Sequence, residues 1–299
     1  MIKDRSLIVI GGPTASGKTK MAIELAKKLN CEIISADSRQ VYKEISIGTA
    51  KPTQSELQAA PHHFIDHVSI HDTYNAGIYE EEVIEKLDKL FEKNNFVILV
   101  GGTGLYIQAV CNGLDEFPEI TEDVRLYYHN LLKDKGLECL LEILKAKDPH
   151  YFEKVDQQNP RRITRALEIM HNSELKYSEM RTKNKKIRNF NTLMFLIDID
   201  RPILYERINN RVIEMVQNGL FEEVESLLPY QDIKATQTVG YQEIFKYFNG
   251  ELKKDESIEK IQQNSRRYAK RQMTWFNNQL DSWIKIKNIN EIIIELENK

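Results

Sequence analysis

The sequence predicts an α/β protein in which helices flank a parallel sheet core and an all-helical segment is inserted. Short apolar runs, such as "LIVI" at 7–10 and "FVILV" at 96–100, alternate with amphipathic helical patterns. Strands without polar alternation are buried on both faces, which is typical of parallel sheets covered by helices. From about 119 to 190 the alternation stops and the spacing of apolar residues becomes helical.

The individual elements follow from local patterns. Strands are predicted at 7–11, within "CEIISADS", within "NFVILV" and at 193–200. Helices are predicted at about 18–29, at 78–93, after the glycine turn at 101–104, and at 203–220. Pro202 suits the first turn of that last helix. We therefore expect a first core segment at 1–118, the helical insertion at 119–190, and a return to the core with C-terminal helices at 191–299.

The composition is that of a soluble globular protein, with 41% hydrophobic and 29% charged residues in a chain of 299. No apolar run approaches the roughly 20 residues that cross a bilayer, so we expect no membrane segment. The N-terminus runs directly into a glycine-rich turn, which leaves no room for a cleaved signal peptide. Three widely spaced cysteines argue against a disulfide framework, so we expect a cytoplasmic protein.

Charge is distributed unevenly along the chain. The formal net charge is -3, which does not by itself indicate nucleic-acid binding. Three basic runs nevertheless stand out, "RTKNKKIR" at 181–188, "PRRITR" at 160–165 and "SRRYAKR" at 265–271. Any one of them is equally consistent with a solvated helix face. Together, in a slightly acidic protein, they favour a localised site for a polyanion.

A phosphate-binding loop is the strongest motif in the chain. The pattern G-x-x-x-x-G-K-[ST] lies between a predicted strand and a predicted helix, as in P-loop NTPase-like folds. Its glycines let successive N–H groups converge on phosphate oxygens at the positive end of the helix. Its residues are Gly12, Pro13, Thr14, Ala15, Ser16, Gly17, Lys18 and Thr19. Lys18 supplies a positive charge, and the Thr19 hydroxyl can ligate Mg²⁺.

The loop indicates a polyphosphate ligand and does not by itself indicate ATP hydrolysis. P-loop NTPases usually place a metal-binding Asp at the end of a second buried strand, whereas "FVILV" here ends in Gly101 and Gly102. The acid lies instead at the tip of another strand, as Asp37 in "ISADSRQVY". That position suits a proton acceptor, although locally a helix cap or turn residue is the simpler interpretation.

Several weaker features lie outside the loop. Arg207 and Arg211 are four residues apart on one helix face and suit a diphosphate, since Arg binds oxyanions through a planar fork. A solvated face is the alternative for this pair. Lys51 in "IGTAKPT" is able to reach an anion, and Thr103 is either a site hydroxyl or a helix N-cap. Tyr241 in "TQTVGYQE" offers a stacking surface.

Two further segments are rich in side chains that bind ligands. The segment "PHHFIDHVSIHD" at 61–72 holds four histidines but matches no zinc spacing, so a surface or substrate loop is favoured over a metal site. The segment "NSRRYAKRQMTWF" at 264–276 interleaves basic and aromatic residues at helical spacing, which is typical of contacts to an RNA backbone.

Seven blocks taken together resemble one family. In chain order they are "GPTASGKT", "SADSRQVY", "GTAKP", "GGTGLY", "NPRRITRALE", "VGYQE" and "YAKRQMTWF". They resemble the tRNA dimethylallyltransferases, also called isopentenyl-tRNA transferases, over roughly residues 7–280. The resemblance implies transfer of a five-carbon allylic group from dimethylallyl diphosphate to N6 of the adenosine just 3′ of the anticodon in tRNA.

The resemblance also implies roles for particular residues. The loop at 12–19 would bind the donor's diphosphate with Mg²⁺ on Thr19, Asp37 would be the general base, and Arg211 would contact the diphosphate. The helical insertion would clamp the anticodon stem-loop. Residues matching the family's tRNA contacts are Asp37, Ser38, Arg39, Gln40, Thr103, Arg125, Arg161, Arg162, Ile163, Thr164, Arg165, Gln237, Thr238, Val239, Gly240, Tyr241 and Gln242.

Other functions share part of the pattern. A P-loop kinase for a small metabolite, a prenyltransferase acting on free AMP or ATP, and a non-catalytic RNA-binding nucleotide switch all need a phosphate loop. The first two need no helical insertion with basic runs, which weighs against them. The sequence leaves open whether ATP binds the loop, which tRNAs are modified and which residues line a prenyl pocket. Nothing in it demands a partner subunit, so we expect a monomer.

Overall fold

The computed structural model describes residues 5–182, 184–279 and 283–298. Its central feature is a parallel sheet in which the first strand, β1, is an inner strand. Within the described residues, six strands form one sheet in the order β3-β2-β4-β1-β5-β6, and all neighbouring strands are parallel. The strands are β1 (Ser6–Gly11), β2 (Ile33–Ser35), β3 (His62–His63), β4 (Phe96–Gly101), β5 (Asn191–Ile197) and β6 (Ile284–Ile286). The predicted α/β fold with a parallel sheet is confirmed.

Helices connect and cover the strands. They are α1 (Lys18–Leu29), α2 (Gln54–Ala59), α3 (Ala76–Phe91), α4 (Gly104–Asn112), α5 (Glu122–Lys147), α6 (Pro149–Lys154), α7 (Pro160–Ile169), α8 (Tyr177–Met180), α9 (Arg201–Gln217), α10 (Leu220–Ser226), α11 (Tyr241–Phe248), α12 (Lys254–Gln279) and α13 (Ile289–Glu297). Among the described helices, none is long and apolar enough to cross a membrane.

Both faces of β1 are apolar because each meets a different layer of helices. Leu7 and Val9 point into the core shared with α3, α4, α11 and α12. Ile8 and Ile10 point to the other side, into the core shared with α1 and α13. Burial on two faces explains why this strand reads as an unbroken apolar run.

The register of β1 and β4 sets two glycine turns side by side. Gly11 lies opposite Gly101 at the carboxyl ends of these neighbouring strands. The carboxyl edge of a parallel sheet is where α/β proteins bind ligands. The phosphate loop follows one strand, and the second glycine turn follows the other.

The chain divides into two compact units, one formed by residues up to Cys111 and from Ile187 onward, and one formed by Asn112–Lys186. The second unit holds α5 to α8 around its own core, which includes Tyr128, Leu140 and Ile163. Helix α5 is interrupted at Gly136, whose φ of 77° and ψ of 179° are not helical. The predicted insertion, at 119–190, begins and ends later than this unit. Lys183, in the basic run at 181–188, lies outside the described residues.

Candidate active site

The phosphate loop wraps from the end of β1 into the start of α1. Gly17 has a φ of 93°, a conformation that favours glycine, and it immediately precedes the helix. A Cβ on Gly12 would lie 3.0 Å from the Ser16 hydroxyl, so the loop is tightly closed there. Lys18 Nζ donates to the Pro13 carbonyl at 2.7 Å. The buried hydroxyl of Ser16 has no hydrogen-bond partner within the described part of the chain, which fits a ligand that bonds there.

Two arginines of α9 lie at the same loop. Arg211 donates from Nη2 to the Thr14 hydroxyl. Burial lowers the pKa of Arg211, and the nearby Asp37 opposes that shift. Arg207 Nη1 lies 3.9 Å from the position that a Cβ would take on Gly17. Both side chains therefore lie at the phosphate loop, and their binding to a diphosphate stays a prediction.

Burial lowers the pKa of Lys18 to about 8, against the effect of Asp37, which raises it, while Arg211 lowers it further. Three charged groups from separate parts of the sequence thus act on one another. Two are cations suited to a phosphate, and the third is a carboxylate. An arrangement of this kind is a candidate active site with a stated physical basis.

Asp37 is a turn residue whose carboxylate also acts on the two cations of the phosphate loop. Its Oδ1 accepts from the backbone N–H of Arg39 at 2.9 Å and of Gln40 at 3.3 Å, as a turn residue does. Its charge also acts on Lys18 and Arg211. The turn therefore fixes the carboxylate beside the phosphate loop.

The second glycine turn brings Thr103 to the loop that carries Asp37. A Cβ on Gly101 would lie 2.1 Å from the Ala36 carbonyl oxygen, so only glycine permits this approach. Thr103 Oγ1 accepts from the Ser38 N–H at 3.0 Å. The Thr103 side chain also hydrogen-bonds Tyr268 of α12, and burial, with Asp37 nearby, raises the pKa of Tyr268 to about 12.

The aromatic residues of α12 cover the glycine turns. A Cβ on Gly104 would lie 2.2 Å from the Trp275 ring, and one on Gly11 would lie 2.9 Å from the Phe276 ring. Phe276 is 1% exposed. The interpretation of this helix as interleaved basic and aromatic RNA contacts is therefore wrong for its aromatic part, because these rings pack inward. The basic residues Arg267, Lys270 and Arg271 are exposed.

Tyr241 is not a stacking surface, and this expectation is corrected. Its side chain is 0% exposed and its hydroxyl donates to Glu223 at 2.5 Å. A Cβ on Gly48 would lie 2.4 Å from the Tyr241 ring. The same Glu223 carboxylate accepts from three backbone N–H groups at distances of 2.8–3.1 Å, those of Ser46, Ile47 and Gly48. Tyr241, the first residue of α11, therefore belongs to an internal hydrogen-bond network around the Glu223 carboxylate, and no base can reach its ring.

The remaining predicted tRNA contacts of the first unit lie on loops that bind one another. Arg39 Nη1 donates to the carbonyls of Lys234 and Ala235 at 3.2 and 3.1 Å. Gln40 Nε2 donates to the carbonyls of Thr49 and Ala50 at 3.2 and 3.0 Å. The other members are Gln237 and Gln242, exposed and hydrogen-bonded to each other, Thr238 and Val239, both partly buried, and Gly240, whose N–H donates to Glu243.

In the second unit the predicted contacts separate into exposed and buried side chains. The exposed ones are Arg125 on α5 and Arg161, Arg162 and Arg165 on α7. Ile163 is 0% exposed and lies in the core of this unit, so its side chain cannot contact RNA and that expectation is corrected. Thr164 is partly buried, and its hydroxyl is buried without a partner in the described residues.

Two weaker candidates are occupied by other contacts. Lys51 Nζ donates to the Tyr42 carbonyl at 2.6 Å and the Ser46 hydroxyl at 3.0 Å, and it pairs with Asp66. Its ammonium therefore fastens a loop and is not free for an external anion. The histidines at 62–71 have separate partners, such as Glu32 for His63 at 2.6 Å. In the part of the chain that the structure describes, no three His, Cys, Asp or Glu side chains are grouped to hold a metal.

The family model described as IPP transferase matches residues 40–279 of this chain. The chain belongs to the IPP transferase family. A tRNA dimethylallyltransferase of Flavobacterium johnsoniae is 46% identical to it over 295 residues, which is 96% of each chain. A tRNA dimethylallyltransferase 1 of Bacteroides fragilis is 41% identical over 98% of each chain.

Solved structures of IPP transferase relatives share the fold. A full-length tRNA isopentenylpyrophosphate transferase from Bacillus halodurans aligns with a TM-score of 0.70 at 35% identity, covering 99% of this chain and 95% of that one. A eukaryotic dimethylallyltransferase described as acting on tRNA aligns with a TM-score of 0.79 at 26% identity, covering 99% and 79%.

Several residues that contact the site or its neighbouring loops were not predicted from the sequence. Gln272 and Tyr268 of α12 and Glu223 of α10 make side-chain contacts to the site loops. Tyr268 and Gln272 lie inside the block "YAKRQMTWF". The motif was therefore recognised in the sequence, but no contact was assigned to either residue. For Glu223 no local signal existed, because three of its partners are backbone N–H groups some 175 residues away in sequence and the fourth, Tyr241, is 18 residues away.

Proposed function

We propose that this protein transfers the dimethylallyl group from dimethylallyl diphosphate to N6 of the adenosine 3′-adjacent to the anticodon in tRNA, giving N6-dimethylallyladenosine and diphosphate. One observation carries the proposal. A phosphate loop with two cations, Lys18 and Arg211, lies beside a carboxylate, Asp37, that is fixed by its own turn. The names of the family members support the same reaction.

The cations suit the departing diphosphate. In an allylic transfer the C–O bond breaks, the carbon becomes electron-deficient and the leaving group gains negative charge. Groups that stand ready to stabilise that charge lower the barrier, because they need no reorganisation during the step. Lys18 and Arg211, whose side chains contact the loop, would do so.

The carboxylate suits the acceptor. The N6 amine of adenine is a weak nucleophile because its lone pair is delocalised into the ring. Asp37 would accept a hydrogen bond from N6 and take its proton as the new C–N bond forms. One oxygen of Asp37 is held by the N–H groups of Arg39 and Gln40, which orients the carboxylate for this task. The acceptor base must leave its stack to reach this position.

We propose Mg²⁺ as the cofactor, held with the donor's phosphate oxygens at the Thr19 hydroxyl in the first turn of α1. Mg²⁺ usually binds through few protein oxygens and the phosphates of a substrate. When bound, the ion would neutralise charge on the leaving group. The unpartnered Ser16 hydroxyl in the same loop supports a ligand with phosphate oxygens at this place.

We propose that the helical unit grips the anticodon stem-loop through Arg125, Arg161, Arg162 and Arg165, which are exposed. Arginine binds phosphate through two parallel hydrogen bonds.

We also propose that the protein acts as a monomer in the cytoplasm, where its tRNA substrate is found.

The test is a single-turnover assay with labelled dimethylallyl diphosphate, Mg²⁺ and unmodified tRNA. We expect the wild type to place label on tRNA, and we expect Asp37→Ala to lose at least about 100-fold in the chemical step, much more than it loses in tRNA affinity. AMP in place of tRNA, and ATP in place of the prenyl donor, are parallel reactions. Label on AMP alone, phosphoryl transfer from ATP, or near-normal transfer by Asp37→Ala would contradict the proposal.

A further inference from the structure

One side chain of α12 links the two glycine turns of the site. Gln272 is 7% exposed. Its Oε1 accepts from the Thr14 N–H of the phosphate loop at 2.8 Å. Its Nε2 donates to the Gly102 carbonyl of the second turn at 2.9 Å. Because one partner only donates and the other only accepts, the two bonds also fix the orientation of the amide.

Each end of this amide leads to a different part of the candidate site. Thr14 accepts a hydrogen bond from Arg211, one of the cations at the phosphate loop. Gly102 is followed by Thr103, whose hydroxyl holds Ser38 next to Asp37. The amide therefore connects the side of the site that suits the leaving group with the side that suits the acceptor.

We propose that Gln272 is a positioning residue that sets the separation between the phosphate loop and the loop carrying Asp37, an inference that rests on the proposed function. In a transfer reaction the carbon moves from the leaving oxygen to the nucleophile. Both must be held in near-contact at about 3–3.5 Å, and a displacement of about 1 Å lowers the rate about 100-fold. Gln272 makes its bonds to backbone groups, so its loss removes no side chain that we assign to either substrate.

This role predicts a specific kinetic signature. In a Gln272 variant each substrate still binds its own loop, so both KM values stay the same. The transfer step needs both loops at the correct separation, so kcat falls. A residue needed only for folding would instead reduce the fraction of active protein. A residue that contacts tRNA would raise the KM for tRNA.

Gly102 provides an independent way to disturb the same contact. A Cβ at this position would lie 2.2 Å from Gln272 Nε2. Gly102→Ala should therefore displace the amide while leaving Gln272 in the sequence. In a Gln272→Ala background the clash is absent, so the two substitutions should be non-additive.

The experiment compares Gln272→Leu, Gln272→Ala, Gln272→Glu, Gly102→Ala and the double variant Gly102→Ala with Gln272→Ala against wild type. The matched control is Gln58→Leu, a glutamine exposed on α2. For each protein we would measure kcat, both KM values, tRNA affinity, active-site concentration by stoichiometric donor binding, and Tm. We expect kcat per active site to fall about 10- to 100-fold in Gln272→Leu and Gly102→Ala, with both KM values within about threefold of wild type. Gln58→Leu should match wild type.

The glutamate variant adds a readout that a purely structural role would not give. A protonated carboxyl group has one donor and one acceptor, as the amide has, whereas a carboxylate has only acceptors. The kcat ratio of Gln272→Glu to wild type should therefore rise as the pH falls. The titratable and charged groups of the surrounding elements, Lys18, Asp37, Arg211 and Tyr268, are the same in both proteins, which differ only at residue 272.

The outcomes separate the two proposals. No transfer to tRNA by the wild type would overturn the proposed function itself. If the wild type transfers the group to tRNA and folded Gln272→Leu has a kcat within twofold of the wild-type kcat, the positioning role alone would be overturned. A loss confined to the KM for tRNA, or to the active fraction, would also overturn it. If Gln272→Leu does not fold, a pH-independent ratio for Gln272→Glu would be the contradicting result.

Discussion

Lys18 loses its proton at a much lower pH than an ordinary lysine, because burial lowers its pKa from 10.5 to about 8. Below pH 8 the ammonium is charged and suits the donor's diphosphate, and above pH 8 that charge is lost. We expect kcat/KM for dimethylallyl diphosphate to fall about tenfold per pH unit above about 8, since this ratio reports groups of the free enzyme. Steady-state rates from pH 6.5 to 9.5 measure it.

Lys18→Arg is the matched control for that pH profile. An arginine stays charged throughout this range, so the variant should be slower but lack the alkaline decline. An identical decline in Lys18→Arg and in the wild type would show that another group titrates.

Tyr241→Phe tests the role that burial gives to this tyrosine. The variant keeps the ring against Gly48 but removes the hydroxyl that donates to the Glu223 carboxylate. Hydrogen bonds to charged groups contribute about 1.5–3 kcal/mol, so we expect a loss of about that size in the free energy of unfolding. Urea unfolding measures it. Unchanged stability together with weaker tRNA binding would restore the stacking interpretation.

The contrast between Tyr241 and Asp37 shows what the sequence can reveal about single residues. Asp37 follows a recognisable strand, and its place beside the phosphate loop is set by parallel strand order. Tyr241 lies in a polar turn, "TQTVGYQE", where nothing local signals burial. Its environment is made by Glu223 and by Gly48, which are distant in sequence, so tertiary packing decides whether the ring is available.

At the scale of elements, Gly136 interrupts α5 at a backbone conformation that is essentially confined to glycine, with φ 77° and ψ 179°. Apart from the adjoining residues and the backbone of α5 itself, no described heavy atom lies within 4 Å of the position of a Cβ there, so backbone strain is the obstacle to a side chain. We expect Gly136→Ala to lower the free energy of unfolding by about 1–3 kcal/mol. Urea unfolding measures it.

A second substitution separates strain from helix propensity at this break. Lys135→Ala, at the exposed neighbouring residue, should change stability by less than about 0.5 kcal/mol. Equal or greater stability of Gly136→Ala would indicate that the two halves of α5 join into one continuous helix when alanine is present.

The inner strands were predictable, β2 among them although it has three residues, whereas the edge strands β3 and β6 were not. β1 and α1 carry a strong periodic signal and a motif at their junction, and they lie where the sequence predicts. β3 has two residues and β6 three, which is too short for any period. Both are edge strands that exist because a neighbouring strand pairs with them. Gln272 was unpredictable for a related reason, since its two partners are backbone groups of turns that meet only in the folded sheet.

At the scale of the whole molecule, the proposed grip on tRNA is assigned to the helical unit and the proposed chemistry to the unit that contains the sheet. We expect Arg162→Gln to weaken tRNA binding and to reduce the slope of log Kd against log salt by about 1, because one phosphate contact is lost. The KM for dimethylallyl diphosphate should not change. Filter binding at several salt concentrations, with donor kinetics alongside, measures both.

Lys147→Gln removes an exposed charge at the end of α5 and serves as the control for Arg162→Gln. It should leave the salt dependence as it is. If both substitutions change tRNA affinity and its salt dependence equally, the total charge of the unit determines binding, and a specific contact at α7 does not.

The helical unit begins and ends at one point, where the Lys186 N–H donates to the Asn112 carbonyl at 2.8 Å. A segment whose two ends touch behaves as a separable insertion in its parent chain. It can be lengthened, exchanged for another insertion or replaced by a short peptide that joins its two ends, and the order of the strands in the sheet does not change. Evolution is thereby free to change this unit, to which we assign the proposed grip on tRNA, while the sheet and its phosphate loop stay as they are.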